Sequence, residues 1–112
     1  MDMNWHPIGD ISEIPLLGAR CVKTPFMKIA VFRTGEHEAY AIENRCPHKA
    51  GPLSEGIVHG NSVTCPLHNW VISLETGKAL GADEGEVRTI PLKNESGQLF
   101  LALESVMLEA AE

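Results

Sequence analysis

Apolar and polar residues alternate over short stretches along most of this chain, and turn-forming residues separate the stretches. "ARCVKT" (Ala19–Thr24) and "MKIAVFRT" (Met27–Thr34) are β-rich runs. "GEH" (Gly35–His37) reads as a turn and "EAYAIEN" (Glu38–Asn44) as the return, which predicts a hairpin over Met27–Asn44. "GIVHGNSVTC" (Gly56–Cys65) predicts a second, tight hairpin turning at Gly60-Asn61. "WVISLETGKAL" (Trp70–Leu80) predicts a third, turning at Thr76-Gly77. "EVRTIPLK" and "GQLFLALE" flank the turn "NESG" (Asn94–Gly97). Strands at this regular spacing predict an all-β fold, an antiparallel sandwich or barrel. Helical signals are short: one turn each in "SEIPLL" (Ser12–Leu17) and "GPLSEG" (Gly51–Gly56), and helix formers in the tail "SVMLEAAE" (Ser105–Glu112). No repeat, linker or low-complexity tract interrupts the pattern, so residues 1–112 read as one domain.

Composition narrows what such a domain needs. Hydrophobic residues make up 44% and only six residues are aromatic, so the core is small. A bound metal centre would help it hold together. The net charge of −6 argues against nucleic-acid binding, which needs Lys and Arg to neutralise phosphates. The charge is unevenly spread. Between Asn44 and Ala82 stand three basic residues (Arg45, Lys49, Lys78) and two acidic ones (Glu55, Glu75), leaving this segment at +1 and the remainder at −7. The start "MDMNWHPIGD" lacks the basic and apolar regions of a signal peptide. No apolar run approaches the ~20 residues of a membrane helix. The expected compartment is the cytoplasm, where disulfides rarely persist. With three cysteines in all, at least one stays out of any bridge, which favours reading them as ligands.

The chemistry concentrates in "CPHKAGPLSEGIVHGNSVTCPLH". Cys46-Pro47-His48 and Cys65-Pro66-Leu67-His68 are two Cys/His pairs with sixteen residues between them. Each pair is expected on a loop between strands, where a rigid sheet holds the loop bases. Pro47 and Pro66 each fix one φ angle and lower the entropy lost on ordering the loop. Two centres accept two Cys and two His: a closed tetrahedral zinc site, and a 2Fe–2S cluster of Rieske type, with two cysteines on one iron and two histidines on the other. Zinc modules usually group their cysteines and their histidines. Here every loop supplies one of each, which suits two bridged irons clamped between the loops.

The stretch therefore resembles a Rieske domain, as do "PLSEG" (Pro52–Gly56), "VTCPLH" (Val63–His68) and "SLETGKAL" (Ser73–Leu80). The resemblance implies an antiparallel β-structure in which the two cluster loops form a small cluster-binding subdomain, about residues 44–82. It implies that Cys46 and Cys65 bind the inner iron, and that His48 and His68 bind the outer one near the surface, where electrons leave. More finely, "GPLSEGIVHGNSVTCPLHNWVISLETGKALGADEG" (Gly51–Gly85) is similar to the small subunit of NAD(P)H-dependent assimilatory nitrite reductase. "ALGADEG" (Ala79–Gly85) separates it from the ferredoxins of ring-hydroxylating oxygenases. That likeness implies, as partner, a large subunit carrying flavin, an iron–sulfur cluster and sirohaem. The complex would reduce nitrite to ammonia.

The chain departs from high-potential Rieske proteins in two ways. Gly51 and Leu67 stand where those carry two bridging cysteines, and Asn69, Trp70 and Val71 follow His68 with no hydroxyl for the cluster. Fewer hydrogen bonds to cluster sulfur leave the reduced state less stabilised. The expected midpoint lies toward the low end of the Rieske span of about −150 to +300 mV.

Elsewhere the residues read plainly. Cys21 falls at an alternating strand position, expected to be a buried thiol. His6, His37 and His59 lack ligand spacing, and Trp70 is expected to pack against the site. Lys49 is either a docking charge or a solvated side chain; Asp83, Glu84 and Glu86 read as a solvated loop. No catalytic triad, phosphate loop or nucleotide fingerprint is present. The domain should carry electrons for chemistry done elsewhere and be non-catalytic alone. A free ferredoxin serving a ring-hydroxylating oxygenase and a zinc-stabilised or metal-free interaction module are the alternatives.

Overall fold

The computed structural model describes residues 5–24, 27–46, 52–65, 70–80 and 85–102. Ten strands run through them: β1 (Trp5–Asp10), β2 (Ala19–Lys23), β3 (Lys28–Gly35), β4 (Glu38–Glu43), β5 (Ile57–His59), β6 (Ser62–Thr64), β7 (Val71–Ser73), β8 (Thr89–Ile90), β9 (Leu92–Glu95) and β10 (Gln98–Ala102). All pairings between them are antiparallel. They form three sheets, in the orders β1-β10-β9, β2-β3-β4-β8 and β5-β6-β7. The only helical elements among the described residues are two 3₁₀ turns, Ile11–Glu13 and Leu53–Glu55. None of the described helices is long and apolar enough to cross a membrane. The fold is all-β, as the sequence predicts; the tail Ser105–Glu112 lies outside the described residues.

The middle sheet is the organising layer. Ile29, Ala30, Val31 and Phe32 of β3 are all fully buried, because both faces of that strand are covered. Ala30 and Phe32 join Ile42 in one core with Val58, Val63 and Ile72 of the third sheet. Ile29 and Val31 join Ala41 and Ile90 in a second core, with Leu99 and Leu101 of the first sheet. The period of two sends alternate residues to opposite cores, so a strand between two layers reads as an unbroken apolar run. The chain passes from the middle sheet to the first at Pro91, which separates β8 from β9. Proline lacks the N–H that a continued ladder would need.

The hairpins fall where the turn residues place them. Glu95 pairs with Gln98 around Ser96-Gly97, both at positive φ (52° and 97°), the pattern of a type I′ turn. Asn94 fixes this turn by accepting the Gly97 N–H at 2.8 Å. One strand has no counterpart in the sequence reading. β1 comes from the N-terminal stretch, and its partner β10 lies at the other end of the sequence. A local pattern carries no signal for so distant a pairing.

The turn Ile11–Glu13 begins with a capping box. The Asp10 carboxylate accepts the Ser12 N–H at 2.9 Å, and the Glu13 carboxylate accepts the Asp10 N–H at 3.4 Å. The Ser12 backbone hydrogen bond holds the Asp10 carboxyl below its usual value, with Arg33 as a weaker cause. A lowered folded-state value contributes stability above the unfolded value that is lost as pH falls through the folded one. Asp10→Asn is therefore expected to lower the melting temperature at neutral pH. The difference from the parent should shrink below about pH 4, measured by thermal melts from neutral to acid pH.

Candidate metal centre

Cys46 and Cys65 are both fully buried and belong to the same packed core as Phe32, Leu53 and Val63. Each stands where a strand gives way to a loop. Cys46 follows β4 after Asn44 and Arg45, and the Arg45 N–H donates to the Glu43 carbonyl at 2.9 Å, which turns the chain off the strand. Cys65 follows β6 directly. Its N–H donates to the Trp70 carbonyl at 2.7 Å, extending the β6–β7 ladder one step past the Thr64–Val71 pair.

The bases of the two loops are drawn together by close packing. A Cβ on Gly56 would run into the Thr64 carbonyl oxygen and meet Val63 Cγ2 at 2.9 Å, so only glycine lets the chain after Leu53–Glu55 lie against β6. Trp70 is partly buried against the core that holds both cysteines, as expected for a packing residue.

His48 and His68 lie outside the described residues, as do Lys49, Gly51, Leu67, Asn69, Asp83 and Glu84. No group of three metal-binding side chains is found among the described residues. His6, His37 and His59 are all exposed. His59 on β5 contacts the Thr64 hydroxyl through Nε2 at 2.6 Å. The outer face of the third sheet, beside the second loop, carries exposed Ile57 directly opposite Thr64, which in turn faces Val71.

Cys21 corrects an expectation: it is exposed. Pairing with Ala30 does aim it toward the cysteine-bearing core, as alternation predicts. But β2 is an edge strand, and the thiol lines an open groove with Lys23, Lys28, Arg45 and Asn44. Asn44 itself was not legible as a functional residue. Its side chain spans from the end of β4 to Ser54, and only the folded chain brings these together.

The Rieske [2Fe-2S] domain model matches residues 4–95. The ferredoxin component of the naphthalene 1,2-dioxygenase/salicylate 5-hydroxylase systems of a Ralstonia species is 33% identical over 105 residues, 93% of this chain and 100% of the relative. The anthranilate 1,2-dioxygenase ferredoxin subunit of Burkholderia cepacia is 38% identical over 96 residues, 85% of this chain and 88% of the relative. A Mycobacterium tuberculosis structure assigned as an NADH-dependent nitrite reductase small subunit superposes with a TM-score of 0.79 at 19% identity. It covers 90% of this chain and 96% of that one, a likeness of fold. The cysteine geometry fits an iron–sulfur group: two soft sulfur atoms, screened from water in one apolar core, each at the mouth of a loop. The chain belongs to the Rieske [2Fe–2S] family, and a Rieske-type 2Fe–2S cluster is its cofactor.

Proposed function

We propose that this Rieske electron-transfer domain is the small subunit of a cytoplasmic NAD(P)H-dependent nitrite reductase that reduces nitrite to ammonia. In this reading residues 44–82 form the cluster-binding subdomain of a single domain. Cys46 and Cys65 hold the inner iron, His48 and His68 the outer one. The bound cluster takes up and releases single electrons. The protein's part is to keep the inner end dry, through the core around Cys46 and Cys65, and to present the histidine loops outward. The observation that carries the electron-transfer reading is the pair of fully buried cysteines, each opening a loop with a histidine two or three residues on. The assignment to nitrite reductase is supported by the stretch Gly51–Gly85. The partner is then a large subunit with flavin, an iron–sulfur cluster and sirohaem.

A second reading has its own support. The relatives at 33% and 38% identity are ferredoxins of aromatic-ring dioxygenase systems. On that reading the same cluster supplies electrons to an oxygenase. Affinity purification of the tagged protein from its native host separates the two. The first predicts a co-purifying large protein with sirohaem absorption, in a complex that oxidises NAD(P)H on addition of nitrite. Capture of no such protein, with electron transfer to an aromatic-ring dioxygenase instead, would replace it with the second.

A further inference from the structure

The loop from Arg45 to Leu53 contains the first Cys/His pair, and one side chain joins its two ends. Asn44 Oδ1 accepts the Ser54 N–H at 2.8 Å, and Asn44 Nδ2 donates to Ser54 Oγ at 3.0 Å. The same Nδ2 lies 3.5 Å from Cys21 Sγ. The Asn44 main chain is anchored as well, its N–H donating to the Lys28 carbonyl at 2.8 Å. Asn44 is thus fixed to the middle sheet and holds the far end of the loop through both atoms of its amide.

Local chemistry explains why an outside residue takes this role. Ser54 is the second residue of the 3₁₀ turn Leu53–Glu55, and the residue at that turn's cap position, Pro52, makes no side-chain capping bond. A turn's first N–H groups need acceptors from outside the turn. Asn44, ten residues earlier in sequence, supplies one. The amide caps the turn and closes the loop in a single contact. Leu53, within that turn, is fully buried in the core that holds both cysteines.

We propose that Asn44 is a positioning residue for the cluster: its amide fixes Ser54 against the end of β4 and so sets the placement of Cys46, two residues on. This rests on the proposed ligand set. Partners that orient ligands are commonly worth about 10- to 100-fold in metal affinity.

The experiment follows loss of visible absorbance from the oxidised protein in excess iron chelator, well below the melting temperature. Asn44→Ala should bleach at least about 10-fold faster than the parent and give a broadened EPR signal when reduced. Asn44→Asp keeps the acceptor for the Ser54 N–H but loses the donor to Ser54 Oγ, so it should fall between the two. Ser54→Ala keeps the same N–H bond and should fall there too. The control is Asn94→Ala, which removes a comparable pair of bonds, to the His37 carbonyl at 3.2 Å and the Gly97 N–H at 2.8 Å, in a turn of the first sheet. It should lower stability and leave bleaching and EPR unchanged. Equal bleaching in Asn44→Ala and Asn94→Ala, or bleaching at the parent rate in both Asn44→Asp and Ser54→Ala, would overturn the proposal. If Asn44→Ala does not fold, those two milder variants decide it. A protein that keeps the parent's visible spectrum when His48 and His68 are both replaced by alanine would instead refute the ligand set.

Discussion

Cys65→Ala is expected to yield a colourless protein with almost no bound iron, whereas Cys21→Ser should keep the parent's colour and iron content. The two outcomes follow from the two environments. Cys65 is fully enclosed in the core between the middle and third sheets, and its backbone is fixed by the hydrogen bond to Trp70. The core residues packed with it, Leu53, Val63 and Ile72, carry no metal-binding atom to replace the lost sulfur. Cys21 sits on the edge strand β2 with its thiol exposed, outside the packed core that holds Cys46 and Cys65. Because cluster binding is coupled to folding, the apoprotein should also melt lower and more broadly. Iron analysis and visible absorption read the result. A red-brown Cys65→Ala protein with two irons per chain would refute the assignment of Cys65.

The second large effect is on potential. The native midpoint is expected between about −150 mV and zero, the low part of the Rieske span. Exchanging both histidines, His48→Cys with His68→Cys, should move it toward the roughly −400 mV of all-cysteine 2Fe–2S centres. The cause is charge. Two neutral imidazoles become two thiolates, and adding an electron to a more negative centre costs more. Redox titration with EPR of the reduced state checks both statements. A native midpoint well above zero would refute the low-potential reading. A spectrum and midpoint that survive both exchanges would refute histidine ligation.

Much of the strand map was legible because its signals are local. The hairpins at Gly60-Asn61 and at Ser96-Gly97 sit where turn residues flank alternating strands. Both short 3₁₀ turns lie in or beside stretches marked as single helical turns. Cys46 and Cys65 stood out through their spacing to His48 and His68, a signal that lies within a few residues of each cysteine. Three features were not legible. β1 depends on a partner at the far end of the chain. The exposure of Cys21 depends on β2 lying at the edge of the middle sheet. The role of Asn44 depends on Ser54 arriving beside it.

The sequence by itself determined the antiparallel strand content, the two Cys/His pairs and the family, because turn chemistry, period-two patterning and ligand spacing act over a few residues. Only the tertiary structure decided which core each strand face enters, that Cys46 and Cys65 share one core while Cys21 does not, and that one amide closes the first loop. Those outcomes depend on which layers cover one another, and layer packing is set by contacts between residues far apart in the chain.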